Sequence, residues 1–202
     1  MTIRCVVFDL GGVLVELGGV REFGDMIGEP DDSQVWARWL GSRWVRDYER
    51  GRCSTESFAR GLVEEFELAC SPDEFIERFR VWPRGLMGGA HELVEGLALS
   101  VQVACLSNTN ELHWGHQADA LRLADLFPTR FLSHELGLVK PDREIFEHVV
   151  DALSLPSDAI LFFDDNQPNV EAAREAGLRA EHVQGPTAAR GCLTRYGLSH
   201  TG

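Results

Sequence analysis

The stretch VVFDLGGVLV, at residues 6–15, decides how this chain folds. Three apolar residues, Val6, Val7 and Phe8, run directly into a carboxylate, Asp9, and two glycines follow before the apolar pattern resumes. A short apolar run that ends at turn residues is typical of a buried strand. The pattern therefore predicts a first strand that delivers Asp9 to the edge of a sheet, with Gly12 allowing a sharp turn behind it.

Four further apolar runs repeat this pattern along the chain. Together with the first run, at residues 3–8, they lie at residues 101–106, 130–132, 159–163 and 179–183. Helical spacing of apolar residues lies between most of them, as in Val170, Ala173 and Ala176, which precede Gly177. Strands that alternate with helices predict an α/β fold, a Rossmann-like parallel sheet covered on both faces.

Residues 16–87 break this rhythm. Apolar and aromatic residues recur there at helical spacing, as in Val35, Trp36 and Trp39, and no strand-like run is visible. We therefore predict an all-helical insertion, the cap, at residues 16–87. The catalytic core is then predicted to comprise residues 1–15 and 88–202.

The composition limits the partners and the compartment. A net charge of −13 over 202 residues argues against nucleic acid and anionic membranes, which bind basic surfaces. The five cysteines are odd in number and form no CxxC pair, which favours a reducing, cytoplasmic location. No signal peptide or membrane span is predicted. The oligomeric state stays open.

Polar side chains follow four of the predicted strands, where ligands bind in open α/β sheets. They are a carboxylate after the first strand, a hydroxyl and an amide after the second, a lysine beyond the third and two carboxylates after the fourth. In chain order these residues are Asp9, Ser107, Asn108, Lys140, Asp164 and Asp165. Each could instead cap a helix or lie in a turn, but independent caps are a poor explanation for the whole set.

The chemistry of this set is that of phosphoryl transfer. Clustered carboxylates repel one another, so they imply a cation, and oxygen ligands suit Mg²⁺. A hydroxyl, an amide and a lysine can donate to a phosphate. A carboxylate such as Asp9 can attack phosphorus and form an acyl phosphate.

The quoted motifs resemble those of the haloacid dehalogenase superfamily of phosphohydrolases, over nearly the whole chain. VFDLGGVL, LSNTN, VKPD and FFDDNQPNVEAAREAG are similar to its four motifs, in order. The details look most like the bacterial α-D-glucose-1-phosphate phosphatases and, more distantly, the phosphatase domain of soluble epoxide hydrolase. The resemblance implies a helical cap between the first and second motifs.

The resemblance also implies roles for individual residues. Asp9 would be the nucleophile and, with the Gly11 carbonyl and Asp165, a ligand of Mg²⁺. Ser107, Asn108 and Lys140 would bind the phosphate, with Lys140 also catalytic. Asp164 would lie behind the metal ligands and orient a metal-bound water.

One departure concerns proton transfer. Most phosphatases of the superfamily carry a second Asp two residues after the nucleophile as general acid and base, and this chain has Gly11 there. A better leaving group, a Mg²⁺-bound water or another side chain could take over that role. Glu16, Glu49 and His113 are the candidates.

We therefore predict a cytoplasmic, Mg²⁺-dependent phosphomonoesterase that acts on a small sugar phosphate, with glucose 1-phosphate as a candidate. The first alternative is a 2-haloacid dehalogenase, which uses an Asp nucleophile without metal and does not need Asp164 and Asp165. The second is a catalytically weak protein that binds sugar phosphates. A phosphomutase would depend more strongly on the acid that Gly11 replaces.

Overall fold

The computed structural model of the protein describes residues 2–120 and 123–198, without the side chains of residues 117–120. Residues 1, 121–122 and 199–202 of the predicted core therefore lie outside the described residues. The strands in the described part are β1 (Cys5–Phe8), β2 (Val15–Leu17), β3 (Pro83–Leu86), β4 (Gln102–Ser107), β5 (Arg130–Leu132), β6 (Ile160–Asp164) and β7 (Arg179–His182).

Helices connect most of these strands. They are α1 (Gly19–Ile27), α2 (Asp32–Gly41), α3 (Arg43–Glu49), α4 (Thr55–Glu65), α5 (Pro72–Arg80), α6 (Ala90–Ala98), α7 (Glu111–Ala120), α8 (Leu123–Leu126), α9 (Ser133–Leu136), α10 (Arg143–Leu153), α11 (Gln167–Glu175) and α12 (Gly185–Arg195). A short 3₁₀ helix, Ser157–Ala159, precedes β6.

The main sheet has the strand order β5-β4-β1-β6-β7, and all of its neighbouring strands are parallel. Strand β1 lies at the centre, with Phe8 in register with Cys105 on one side and Phe163 on the other. All four residues of β1 are buried, as expected for a strand covered on both faces. The predicted α/β fold with a parallel sheet is confirmed.

Alternate residues of the sheet point into two apolar layers. Val6 and Phe8 pack on one face with residues of α6, α8 and α12. Cys5 and Val7 pack on the opposite face with residues of α10 and α11. Because the strands are parallel, this packing brings their carboxyl ends to the same edge of the sheet.

Helices α1–α5 pack around an aromatic cluster of their own, which includes Trp39, Tyr48, Phe58 and Phe79. The expectation that this segment is entirely helical missed one feature: β2 and β3 pair as a small antiparallel sheet where the chain enters and leaves it. Both strands are short and β3 contains Pro83 and Gly85, so no alternating pattern marks them. The cap boundaries at residues 16 and 87 stay a prediction. No helix in the described part is both long and apolar enough to cross a membrane.

Candidate active site

The predicted site residues meet at the carboxyl edge of the sheet. Asp9 follows β1, while Ser107 ends β4 and Asp164 ends β6. An open cavity of about 570 Å³, the site cavity, lies over this edge and between the sheet and the cap. Its lining includes five of the predicted residues and Gly11, namely Asp9, Gly11, Ser107, Asn108, Lys140 and Asp165. A cavity of this volume is suited to a small molecule.

Lys140 lies at the centre of the charged groups. Its Nζ is 2.8 Å from Asp9 Oδ1 and 2.6 Å from Asp164 Oδ2, and it donates to the Leu106 carbonyl at 3.2 Å. Burial lowers the pKa of Lys140, but Asp164 and Asp9 overcome this effect and hold the pKa above its ordinary value. Lys140 is therefore a permanent cation directly beside Asp9.

Asn108 fixes the backbone that carries this lysine. Its Oδ1 accepts from the Lys140 N–H at 2.9 Å, and its Nδ2 donates to the Lys140 carbonyl at 3.0 Å. Both polar atoms of the Asn108 side chain are thus engaged in positioning Lys140. The second hydrogen of Nδ2 is not used in these two contacts.

The two neighbouring carboxylates differ sharply in their surroundings. Asp164 is fully buried, and its oxygens accept from the Asn166 N–H at 2.8 Å and from Asn169 Nδ2 at 3.0 and 3.1 Å, besides Lys140. Asp165 instead lines the site cavity. The oxygens of Asp164 are therefore held by neighbouring groups, whereas Asp165 faces open space.

Gly12 makes room for Asp165. Its φ of +69° favours glycine, and a Cβ built there would lie 1.9 Å from Asp165 Oδ2. The second glycine of the opening stretch therefore serves both the turn after β1 and the approach of the carboxylate from β6.

The electrostatics of the cluster favour a cation. One oxygen from each of Asp9, Asp164 and Asp165 can be chosen so that all three lie within 4.8 Å of one another. Burial raises the pKa of Asp9 to about 8, with Asp164 and Asp165 adding to the rise and Lys140 opposing it. Burial and Asp164 raise the pKa of Asp165 to about 6. A divalent cation bound by these oxygens would relieve the repulsion, and an all-oxygen donor set fits Mg²⁺.

The capping explanation fails for the residues after β4. Helix α7 is capped by Asn110, whose Oδ1 accepts from the His113 N–H at 2.9 Å. Ser107 and Asn108 lie too early in the chain for that role, and they line the site cavity instead.

Two supporting contacts were not predicted from the sequence. Asn169 holds Asp164, and Ser133 holds the loop after β4 by accepting from the Thr109 N–H and donating to the Thr109 carbonyl, both at 2.9 Å. Asn169 is buried, with 7% of its surface exposed, although it lies in a polar stretch of sequence. Its position in the first turn of α11 is the feature from which this supporting role could have been predicted. Ser133 carried no local signal, because its partner lies 24 residues away.

The three candidates for proton transfer differ in their position relative to the site cavity. Glu16 is exposed on β2 and is not among the lining residues of the site cavity. His113 lines the cavity, but its Nε2 donates to the Phe79 carbonyl at 2.7 Å, and Asn110 lies 3.3 Å from Nδ1. Burial lowers the pKa of His113 to about 4, so the ring is neutral. Glu49, at the end of α3, lines the cavity.

Comparisons with known proteins agree with this geometry. The family model for haloacid dehalogenase-like hydrolases matches residues 3–177. Phosphatase MT3486 of Mycobacterium tuberculosis is 28% identical over 89% of this chain and 87% of its own. The D-ribitol-5-phosphate phosphatase of Bacteroides thetaiotaomicron is 27% identical over 87% of this chain and 89% of its own.

A solved structure shows the same fold. The wild-type enzyme bt-2542 of Bacteroides thetaiotaomicron, in complex with magnesium and inorganic phosphate, aligns with a TM-score of 0.73 and 24% identity. The alignment covers 90% of this chain and 94% of that one. The fold, the residues gathered at the sheet edge and the match over residues 3–177 lead to one conclusion: the chain belongs to the haloacid dehalogenase-like hydrolase family and is a hydrolase.

Proposed function

We propose that this hydrolase is a Mg²⁺-dependent phosphomonoesterase that works through an aspartyl-phosphate intermediate. The observation that carries the proposal is the position of Asp9, which faces the site cavity with Lys140 Nζ 2.8 Å from its carboxylate and Asp165 beside it. The names of the two phosphatases reported above support the reaction type.

Asp9 attacks phosphorus, and the bond between phosphorus and the leaving oxygen breaks. Lys140 and the Ser107 hydroxyl hold the phosphate oxygens, and Lys140 also keeps the attacking carboxylate oriented. Water then attacks the phosphorus, which releases phosphate and restores Asp9.

Asp9, the Gly11 carbonyl and Asp165 would hold Mg²⁺ in this proposal. The donor set fits, because Asp165 faces the cavity while the oxygens of Asp164 are engaged by Lys140, Asn166 and Asn169. When bound, the ion supplies positive charge against the negative phosphate and the clustered carboxylates. The magnesium and phosphate in the bt-2542 complex support this assignment.

A small sugar phosphate is the proposed substrate class, with glucose 1-phosphate as one candidate. The outer part of the site cavity offers neutral polar side chains, Ser33, Gln167 and Gln184, to hydroxyl groups. Trp36, which is 39% exposed, lines the same cavity and offers an aromatic face. A small phosphorylated metabolite in the cytoplasm, rather than nucleic acid or a membrane, is the partner that we propose.

The test is hydrolysis of p-nitrophenyl phosphate and a panel of sugar phosphates, with and without Mg²⁺, by the wild type and by Asp9→Asn. We expect turnover that requires both Mg²⁺ and Asp9. Absence of turnover on every phosphate would contradict the proposal. Metal-independent release of chloride from 2-chloropropionate would instead establish a dehalogenase.

A further inference from the structure

Glu49 lies on the boundary between two cavities. One is the site cavity, which it shares with Asp9 and Lys140. The other, the cap cavity, has a volume of about 120 Å³ and lies where the cap meets Asn108, Asn110 and His113, the residues that follow β4. The walls of the cap cavity are mainly apolar and include the aromatic side chains of Phe23, Trp39, Phe58, Phe79 and Trp82. Glu49 therefore borders an apolar space on one side and the catalytic groups on the other.

No group in the described part of the chain donates a hydrogen bond to the Glu49 carboxylate. The nearby arginines are committed elsewhere, because Arg46 of α3 and Arg50, the residue directly after α3, both bind Asp142, the former at 2.5 Å. The carboxyl group is thus held near the site without a structural partner. A half-buried carboxyl group of this kind is free to exchange a proton with a bound molecule.

The surroundings keep a protonated form available near neutral pH. Burial raises the pKa of Glu49 to about 7, while Lys140, Arg46 and Arg50 oppose the rise. A general acid is most effective when its pKa lies close to the working pH.

The proposed reaction needs such a group. When the bond from phosphorus to the substrate oxygen breaks, an alkoxide or phenolate leaves and must be protonated. Gly11 offers no side chain for this, His113 is neutral with its Nε2 hydrogen held by a carbonyl, and Glu16 lies outside the site cavity.

We propose that Glu49 is the general acid and base of this enzyme, supplied by the cap in place of a side chain at Gly11. The phosphorus–oxygen bond breaks with its electron pair remaining on the leaving oxygen, and that oxygen takes the proton from the Glu49 carboxyl. In the second half, the Glu49 carboxylate takes a proton from the water that attacks phosphorus, and the bond from phosphorus to Asp9 breaks. This inference rests on the proposed phosphomonoesterase function.

The test compares two aryl phosphates of similar shape, p-nitrophenyl phosphate and phenyl phosphate. p-Nitrophenolate leaves readily without a proton, whereas phenolate is a poorer leaving group. Since kcat/KM reports the steps up to the first irreversible one, it isolates phosphorylation of Asp9. We expect Glu49→Gln to lower kcat/KM about 10²-fold for phenyl phosphate and less than about 10-fold for p-nitrophenyl phosphate.

Two further variants make the comparison specific. Asp47→Asn removes the same charge from α3 at a residue that lines neither cavity, and we expect it to behave as the wild type. Gly11→Asp places a carboxyl group in the loop after β1, where its Cβ meets the movable tip of Leu17 at 2.8 Å. We expect this change to restore part of the loss on phenyl phosphate when added to Glu49→Gln.

The outcomes separate the two proposals. Equal losses on both substrates, no loss on either, or the same selective loss in Asp47→Asn would overturn the role of Glu49 while Asp9-dependent turnover still supports the phosphatase. If the wild type shows no Mg²⁺-dependent turnover on either ester or on the sugar-phosphate panel, the phosphatase proposal fails and the role of Glu49 fails with it.

Discussion

The sheet edge and the cap contribute to this site in opposite ways. At the sheet edge, a network of contacts between 2.6 and 3.1 Å joins Lys140 to Asp164 and Asn108, and Asp164 to Asn169. In the cap, aromatic side chains line a small cavity beside the carboxyl group of Glu49, and no residue in the described part of the chain donates a hydrogen bond to that group. The sheet edge thus fixes the geometry of its charged groups, whereas in our proposal the cap sets the polarity around the leaving group.

Replacement of Asp9 should have the largest effect, because it removes the nucleophile. We expect Asp9→Asn to lower kcat by more than about 10³-fold while the protein stays folded, since the amide keeps the shape of the side chain. Steady-state hydrolysis together with circular dichroism checks this. Activity close to that of the wild type would show that another group attacks the phosphate.

Replacement of Lys140 tests whether the network at the sheet edge is also structural. Lys140→Met leaves the buried carboxylates of Asp9 and Asp164 without their cation, so we expect a loss of about 3–5 kcal/mol in the free energy of unfolding. Urea unfolding measures this loss. Arg143→Met, in an exposed ion pair with Glu147, is the control, and it should leave the stability unchanged. Equal stability of both variants would contradict the account.

Replacement of Glu49 should stabilise the fold at alkaline pH, which is the opposite of the effect expected for Lys140→Met. Burial raises the pKa of Glu49 from its ordinary value of 4.5 to about 7, so the folded state holds the proton more tightly than the unfolded state. The free energy of unfolding therefore falls as the pH rises from 4.5 through 7. Glu49→Gln removes this cost, so we expect its Tm to exceed that of the wild type at pH 8. At pH 4 the difference should vanish.

The groups that face Glu49 are Lys140 from the loop before α10, Arg46 on its own helix and Arg50 directly after that helix, with Asp142 bound to both arginines. Asp9 and the neutral His113 share its cavity. Thermal unfolding at both pH values measures the effect. A lower Tm for Glu49→Gln at pH 8 would show that the carboxylate stabilises the fold.

Replacement of Trp36 should have the smallest effect. This residue lines the site cavity at 39% exposure, so its removal affects contact with the substrate more than packing. We expect Trp36→Ala to raise KM for a sugar phosphate by a few fold, about 0.5–1.5 kcal/mol, with kcat unchanged. Val81→Ala, an exposed apolar residue outside the cavity lining, is the control. A change in kcat alone would contradict this role.

The difference between the sheet edge and the cap also explains which features could be predicted from the sequence. The five strands of the main sheet and the meeting of Asp9, Ser107, Lys140 and Asp165 could be predicted, because buried parallel strands are continuous apolar runs whose ends meet at one edge. The same rule does not apply to Glu49, which reaches the site from a helix of the cap. Its position depends on how α3 packs, and helical periodicity does not reveal that packing.

Other features depend on contacts between distant residues. The antiparallel pair of β2 and β3 joins segments some 70 residues apart, and its few residues carry no alternation. The engagement of the Asn108 side chain with the backbone of Lys140 likewise spans 32 residues. Local patterns identify the residue types that a site needs, but they do not show which polar atoms remain free.

Direct detection of the intermediate tests the central claim. The wild type is mixed rapidly with p-nitrophenyl phosphate and Mg²⁺, quenched in acid, digested and examined by mass spectrometry. We expect the peptide that contains Asp9 to gain the mass of one phosphoryl group in the presence of Mg²⁺, and to show no gain in Asp9→Asn. Turnover without phosphorylation of that peptide, or a phosphoryl group on another residue, would contradict the account.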